Sequence, residues 1–222
     1  MIAPRDHIAV GVSGGKDSLA LLYALVHFQR VSPVRFTLTA ITVDMGWQQD
    51  YSEISRFCHQ LGVQHTVVPS LIAPVVFCIR NEPNPCSLCA KLRRGTLNSA
   101  AKKAGANKVA LAHHLDDAVE TMIMSMFFEG RVTTFWPVTH LDRTGLTVIR
   151  PLVYVPEHLT VQLQKVISLP VLATLCPVAG KTSRHCVKQA LAPLRADRLT
   201  DQTLQKAMAK YWASQPQQPC KE

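Results

Sequence analysis

The fold is decided by Gly11-Val12-Ser13-Gly14-Gly15-Lys16-Asp17-Ser18, which joins an apolar strand-like segment at 7–10 to an apolar helix-like segment at 19–28. A strand, a glycine-rich turn and a helix start present backbone N–H groups and a helix N-terminus to phosphate. We therefore predict that a nucleotide phosphate binds here. The predicted contacts are Ser13, Gly14, Gly15, Lys16, Asp17 and Ser18.

The same octapeptide departs from the Walker A pattern G-x-x-x-x-G-K-[ST]. Five residues after Gly11 comes Lys16 instead of glycine, and Asp17 stands where Walker A needs Ser or Thr. An acid beside the lysine would repel a γ-phosphate and could help to hold Mg²⁺. The loop is therefore predicted to cradle pyrophosphate and to serve cleavage of ATP between its α and β phosphates. A glycine-rich turn that binds no ligand is the alternative.

Strand-like and helix-like segments alternate along the chain. The predicted strands are 7–12, 36–43, 64–68, 108–112 and 147–150, and the predicted helices are 17–29, 50–61, 87–104, 116–128, 157–167, 183–194 and 200–212. Strands separated by helices indicate βαβ units. We predict an α/β fold with a doubly wound, mainly parallel sheet and a C-terminal helical extension. The predicted division is one domain over 1–195, followed by a helical extension and flexible tail over 196–222.

Composition and charge narrow the class of protein. Of 222 residues, 47% are hydrophobic and 18% are charged, which is ordinary for a soluble globular protein. No apolar run approaches the roughly 20 residues of a membrane span, and the N-terminus lacks a signal-peptide pattern, so we expect a cytoplasmic protein without a membrane partner. The formal net charge of +9 suits either solubility or a polyanionic partner such as RNA.

Polar residues follow two more of the predicted strands. Asp44 follows the second strand, and His113, His114, Asp116 and Asp117 follow the strand at 108–112. Ligands of such sheets bind beyond the carboxyl ends of the strands, so these residues are expected in one crevice with the loop. The histidines and carboxylates could hold Mg²⁺, orient phosphate oxygens or supply an acid or base. The alternative makes Asp116 an N-cap and His113 a packed structural residue.

Three of the seven cysteines form a candidate metal site. Cys86 and Cys89 are a C-x-x-C pair at the start of a basic helix, where thiol pKa values fall, and Cys176 follows a strand-like pair, Val171-Leu172. Three thiolates suit a [4Fe–4S] cluster with one iron left open. A structural zinc site with Cys186 or His185 as a further ligand is an alternative. A redox pair of the first two cysteines is another.

Four segments occur in a fixed order along most of the chain, from 8 to 195. They are S-G-G-K-D-S at 13–18, C-S-L-C-A-K-L-R-R-G at 86–95, H-H-L-D-D-A at 113–118 and C-P-V-A-G-K-T-S-R at 176–184. In this order they resemble the PP-loop ATP pyrophosphatases and, within them, the tRNA 2-thiocytidine synthetase (TtcA-like) family. The paired cysteines that precede the loop in the related 2-thiouridine branch are absent, which disfavours that branch.

The resemblance implies an ATP-dependent tRNA sulfurtransferase. ATP would adenylate the C2 oxygen of a tRNA pyrimidine, cytidine above all, pyrophosphate would leave, and sulfur would displace AMP. The implied cofactors are ATP, Mg²⁺ and a [4Fe–4S] cluster on Cys86, Cys89 and Cys176. The implied partners are tRNA and a sulfur donor, either a cysteine desulfurase or sulfide, and a homodimer is a candidate assembly.

The resemblance also implies roles for single residues. Lys16 and Asp117 would be catalytic, the latter as a Mg²⁺ or catalytic carboxylate, and Arg93 or Arg94 would polarise the substrate. Asp44 and His113 would join the loop in binding the nucleotide. The rival interpretations are a PP-loop ligase with an amine nucleophile, a thiolase acting on a substrate other than tRNA, and a nucleotide-binding regulator with a zinc site.

Overall fold

One mainly parallel sheet organises the computed structural model, which describes residues 1–80, 82, 84–195 and 198–215. Within these residues the sheet has six strands: β1 (His7–Gly11), β2 (Thr37–Val43), β3 (Gln64–Val68), β4 (Lys108–Ala110), β5 (Val138–Leu141) and β6 (Leu146–Ile149). Their order is β3-β2-β1-β4-β6-β5, and β5 alone runs antiparallel to its neighbour. The predicted mainly parallel α/β sheet is confirmed.

Helices cover both faces of the sheet. The helices of the described chain are α1 (Lys16–Val31), α2 (Ser52–Gln60), α3 (Pro85–Lys103), α4 (Leu115–Glu129), α5 (Glu157–Ile167), α6 (Ser183–Leu191) and α7 (Arg198–Ser214). Ile8 and Val10 of β1 pack with α1 and α2, whereas Ala9 packs with Leu97 and Ala101 of α3. Successive strand residues point to opposite faces, so β1 is apolar and buried on both faces from Ile8 to Val10. The double winding follows from this arrangement.

The C-terminal helix α7 packs on helix α4. Met208 and Trp212 of α7 are buried against Leu115 and Val119 of α4. The predicted helical extension therefore shares a hydrophobic cluster with the segment that follows β4, and its division from the first 195 residues remains a prediction. Residues 196–197 and the predicted tail at 216–222 lie outside the described residues. In the described part of the chain, no helix is both long and apolar enough to cross a membrane.

Two elements were missing from the sequence prediction. Strand β5 has only one buried residue, Leu141, so its hydrophobic pattern is weak. A π-helical segment, Pro74–Ile79, precedes α3. The pair Val171-Leu172, which looks strand-like in the sequence, has irregular structure. The backbone N–H of Leu172 nevertheless donates to Gly14 O at 3.0 Å.

The sheet has its topological switch point at β1. Strand β1 pairs with β2 on one side and with β4 on the other. The chain segments after β1 and after β4 therefore leave the sheet side by side, and ligands of open α/β sheets bind in the crevice between such segments.

Candidate active site at the phosphate loop

The loop after β1 needs glycine at position 14. Gly14 has a φ of +85°, a conformation that residues with a side chain rarely adopt. A Cβ there would lie 3.1 Å from Leu172 Cδ1 and 3.2 Å from Ile54 Cδ1. Gly15 then precedes the first residue of α1, so the N-terminus of this helix opens directly onto the loop. The arrangement provides the backbone N–H groups that a phosphate needs.

Two serines hold the loop in shape. The buried Ser18 hydroxyl accepts a hydrogen bond from the backbone N–H of Ser13 at 3.1 Å and donates to Gly15 O at 2.8 Å. The Ser13 hydroxyl lies 3.2 Å from that of Ser18. These contacts account for both hydroxyls within the loop, and their predicted contact with phosphate remains a prediction.

Lys16 is held between two carboxylates. Its Nζ lies 2.8 Å from Asp17 and 2.8 Å from Glu157. Burial alone would lower the pKa of Lys16, but the hydrogen bonds to these carboxylates outweigh burial and raise it. Glu157 also pairs with Lys188, and although burial raises the pKa of Glu157, the two lysines bring it down to about 2. Lys16 of the loop and Glu157 at the start of α5 are therefore both charged at neutral pH.

Asp17 forms a group with the histidine that follows β4. One ligand atom from each of Asp17, His114 and Glu157 can be chosen so that all three lie within 4.8 Å of one another, close enough to hold a metal ion. The Thr160 hydroxyl donates to Asp17 at 2.5 Å and fixes its carboxylate. Sequence interpretation missed Glu157, because 141 residues separate it from Lys16.

Helix α4 begins with a histidine cap. His114 Nδ1 accepts from the backbone N–H of Asp117 at 3.3 Å, and the Asp117 carboxylate accepts from His114 N at 3.1 Å. His114 Nε2 points towards Asp117 and Asp17, at 3.5 and 3.9 Å. The proposed N-cap, Asp116, was wrong. The only sequence signal for the His114 cap was the three-residue spacing between His114 and Asp117, which is the spacing of a capping box.

Asp116 instead fixes the start of α5. Its Oδ2 accepts from the backbone N–H of Glu157 at 2.7 Å, and its other oxygen pairs with Arg195. Arg195 also pairs with Asp201 at 2.8 Å. The position of Glu157 beside Lys16 therefore depends on an ion network that reaches into the C-terminal helix.

Arg184 connects Asp117 to the segment that follows Cys176. Its guanidinium lies 3.3 Å from Asp117 Oδ1 and 3.3 Å from Glu120 Oε2, and donates to Thr121 at 2.9 Å. The predicted catalytic carboxylate thus has an arginine partner that sequence interpretation did not single out. Its role at Mg²⁺ or in catalysis remains a prediction.

Asp44 shapes the loop after β2. Its Oδ1 accepts from Gly46 N at 3.0 Å and from the Tyr51 hydroxyl at 3.4 Å. Next to this turn, Trp47 packs on Phe77 of the π-helical segment with ring centroids 5.6 Å apart. Asp44 lies at the carboxyl end of β2, as predicted from the strand pattern, and its contact with a nucleotide remains a prediction.

His113 is packed among aromatic and cationic groups. Its ring lies 4.8 Å from that of Phe135 and accepts from Arg150 Nε at 3.2 Å. Burial, and then the charges of Arg150, Arg184 and Arg93, lower the pKa of His113 to about 3. These contacts agree with the alternative of a packed structural histidine, and the predicted role in nucleotide binding remains a prediction.

The three predicted cluster ligands lie close enough to affect one another electrostatically. Burial raises the pKa of the Cys89 thiol, Arg93 lowers it, and the thiols of Cys176 and Cys86 raise it again. Cys86 is exposed, and the other two are half-buried. The positive charge of Arg93 also lowers the pKa of His113, so it acts both on Cys89 and on the segment after β4. Three free thiols, of which Cys89 is within electrostatic range of the other two, fit a group that takes three thiolates.

The zinc alternative requires a fourth ligand from α6. Cys186 is exposed on that helix, and His185 donates its backbone N–H to the Thr182 cap at 3.3 Å. Among the residues that the structure describes, the one group of three ligand atoms within 4.8 Å of one another is the group at Asp17, and it contains no cysteine.

A known protein family matches most of this chain. The model of the PP-loop domain matches residues 3–168, which include the phosphate loop, Cys86, Cys89 and the cap of α4. The chain belongs to the PP-loop family. Cys176 and Arg184 lie beyond the matched part, so for them the family match provides no support.

Curated PP-loop relatives extend the similarity over most of the chain. A Geobacter metallireducens protein named tRNA-cytidine(32) 2-sulfurtransferase is 39% identical over 204 residues, covering 89% of this chain and 78% of that protein. A Geotalea uraniireducens protein of the same name is 36% identical and covers 94% of this chain and 85% of its own length. Residues beyond 168 are therefore included in the similarity.

Two solved structures share the fold. The U34-tRNA thiolase NcsA from Methanococcus maripaludis, solved with its [4Fe–4S] cluster, superposes with a TM-score of 0.76 at 23% identity and covers 99% of this chain and 75% of its own. An NMN synthetase from Francisella tularensis gives a TM-score of 0.50 at 15% identity, and the superposition covers 97% of this chain and 90% of that one. At these identities the likeness shows the fold alone.

Proposed function

We propose that this PP-loop protein is an ATP-dependent tRNA sulfurtransferase that converts cytidine to 2-thiocytidine. The observation that carries the proposal is the similarity of 36–39% over most of the chain to proteins named tRNA-cytidine(32) 2-sulfurtransferase. Two interactions support it: the charge of Arg93 acts on both Cys89 and His113, and the next residue, His114, lies 3.9 Å from Asp17 of the phosphate loop. The loop activates an oxygen, and the thiols are placed to deliver the atom that replaces it.

Activation begins with ATP at the phosphate loop. The C2 oxygen of cytidine attacks the α-phosphorus, the α–β bridging bond breaks, and pyrophosphate leaves. Lys16 stands at the helix N-terminus, where it neutralises charge that develops on the pyrophosphate. Its paired carboxylates, Asp17 and Glu157, keep it protonated before ATP arrives. Mg²⁺ would be held at Asp17, whose carboxylate faces both Lys16 and His114.

Substitution completes the reaction. Hydrosulfide forms a bond to C2 and loses its proton, and the C2–O bond breaks with release of AMP. Cys86, Cys89 and Cys176 would hold a [4Fe–4S] cluster, which supplies an open iron for binding that sulfur. Arg93 lies beside these thiols and can stabilise negative charge on the leaving oxygen. The proposal gives Arg93 the task of polarising the substrate.

The proposal is tested with anaerobically purified protein, ATP, Mg²⁺, sulfide and unmodified tRNA. We expect stoichiometric AMP, pyrophosphate and 2-thiocytidine, the last measured by mass spectrometry of digested tRNA. tRNA from cells that lack this protein should lose 2-thiocytidine. Release of AMP without thiolation, together with an aminated product when ammonia replaces sulfide, would favour the adenylating ligase. An unchanged nucleoside profile in the deleted cells would contradict the proposal.

A further inference from the structure

A groove of about 880 Å³ runs between helix α3 and the edge strand β3, and the chemistry of the phosphate loop does not use it. Lys91 and Lys103 lie along its helical side, and Gln64 and Thr66 along its strand side. The last two side chains belong to exposed residues on the sheet face that α3 leaves uncovered. The groove is therefore an open channel along the helix, with a hydrogen-bonding floor.

The charge of the groove has one sign. Helix α3 contains Lys91, Arg93, Arg94, Lys102 and Lys103 and no acidic residue. The groove lining contains no Asp or Glu among the described residues. Lys91 and Lys103 are exposed and form no ion pair within the part of the chain that the structure describes. The crevice beside Lys188 differs, since it is lined by three carboxylates.

The wall of the groove has room for a ligand at Gly95. A Cβ built on this residue meets no other atom within 4 Å, although the residue lies in the middle of α3 and lines the groove. Glycine in a helix interior is destabilising, so its presence here is consistent with a close approach of something to the helix backbone. His7 and Thr39 add polar groups on the floor and bond to each other at 2.7 Å.

The position of the groove connects it to the proposed thiol site. The first turn of α3 holds Cys86 and Cys89, and the groove begins at Lys91 on the same helix. Fourteen residues separate Cys89 from Lys103, which is about 21 Å along a helix. That length accommodates a few nucleotides of a backbone whose phosphates an exposed lysine can neutralise.

We propose that the α3–β3 groove binds the sugar–phosphate backbone of single-stranded tRNA next to the nucleotide presented to Cys86 and Cys89. The inference rests on the proposed function, because it takes tRNA as the substrate. Lys91 and Lys103 bind phosphates, and Gln64, Thr66 and the other polar groups of the floor bond to ribose hydroxyls and base edges. The groove positions the RNA strand, and the reaction takes place at the adjacent nucleotide, which is presented to the thiols.

The test measures binding of unmodified tRNA to the full-length protein between about 0.05 and 0.2 M potassium chloride, where phosphate contacts dominate affinity. In a plot of the logarithm of the binding constant against the logarithm of salt concentration, each phosphate contact of a single strand contributes about 0.7 to the slope. In Lys91→Ala/Lys103→Ala, we expect the slope to become shallower by about 1.4 and affinity to fall by on the order of tenfold. ATP affinity should not change. The matched control is Lys165→Ala/Lys210→Ala, which removes two exposed lysines from other helices.

A second pair of variants keeps the proposal testable if the lysine variant folds poorly. Gly95→Glu and Gly95→Gln add side chains of equal size to the open wall, and only the first adds negative charge. We expect Gly95→Glu to bind tRNA several-fold more weakly than Gly95→Gln, with the difference shrinking as salt rises. Equal affinities at all salt concentrations would overturn the proposal.

Two further results would also overturn it. The lysine variant could retain the wild-type affinity and salt slope, or the variants could change only the self-association of the protein, which would assign the groove to a second copy of the chain. Failure of the proposed function is recognised separately. In that case the wild-type protein binds tRNA through the groove, yet forms no 2-thiocytidine.

Discussion

At the scale of single residues, Lys16 is the side chain on which the phosphate loop depends. It pairs with Asp17 and Glu157 and draws in Lys188 through the second carboxylate. The loop therefore contains alternating charges before any nucleotide is bound. In the proposed reaction, the phosphates of ATP would replace the carboxylates as partners of the lysine, and the displaced carboxylates would face a cation. The pairing would then suit a polyanion that arrives together with a metal ion.

Replacing Lys16 with alanine should abolish ATP cleavage. The positive charge at the α1 N-terminus is lost, while Asp17 and Glu157 remain to repel phosphate, so we expect AMP release to fall by at least about 100-fold. The bound iron should stay at the wild-type level, because the thiols lie on α3 and on the segment around 176. Measurement of AMP and iron in the same preparation checks both. Loss of iron together with cleavage would contradict two separate parts of the site. Lys165→Ala, which removes an exposed lysine on α5, is the control.

Asp6 should control stability at acid pH. Burial raises the pKa of Asp6, but hydrogen bonds from Lys108, Ala3 and Asn107 outweigh it and hold the pKa below the ordinary 3.8. The stabilisation is therefore complete above pH 3.8 and is lost as the pH falls below it. Asp6→Asn should cost about 2 kcal/mol at pH 7, because Lys108 loses its carboxylate partner and keeps only the Met1 carbonyl. The free energy of unfolding of this variant should then change less than that of the wild type between pH 4 and pH 2.5. Parallel curves would contradict the assignment.

At the scale of elements, sequence patterns predicted the helices and strands that are determined by local interactions. The strand–loop–helix at 11–18 and the parallel strands follow from apolar runs punctuated by glycine. The positions of Asp44 and Asp117 then follow from the strand ends. Strand β5 could not be found, because an antiparallel edge strand with one buried residue has no clear period. The π-helical segment has no distinctive composition that separates it from an α-helix.

Helix α3 allows a direct test of glycine at position 95. The built Cβ meets nothing within 4 Å, so alanine should fit without strain. Gly95→Ala should raise the free energy of unfolding by about 0.5–1 kcal/mol, because alanine loses less backbone entropy in a helix. Chemical denaturation measures this. Gly62→Ala is a useful contrast, since Gly62 has a φ of +73° and the same change there should destabilise the protein. A loss of stability in Gly95→Ala would contradict the open wall.

At the scale of the whole molecule, the site is held together by contacts between distant parts of the chain. Arg195 pairs with Asp116, and Arg184 with Asp117, across 79 and 67 residues respectively. Such ion pairs leave no trace in local periodicity, so sequence interpretation did not predict them. The fold depended on local patterns and could be predicted. The arrangement of charges around Glu157 depended on tertiary packing and could not.

This long-range dependence predicts that α7 and the phosphate loop unfold together. Trp212 is 7% exposed, packs edge-on to Tyr154 at 5.3 Å and donates to Phe135 O at 3.1 Å. Trp212→Ala should cost about 3–5 kcal/mol, because it leaves a large cavity against α4. Since the N-cap of α4, His114, lies beside Asp17, ATP binding should be lost in the same denaturant transition as helical structure. Circular dichroism and nucleotide binding, followed on one titration, check this, with Val166→Ala on an 80% exposed residue as the control. If Trp212→Ala lost α7 but retained ATP affinity and the main transition, the helix would be an independent extension, and the network through Arg195 would not support the loop.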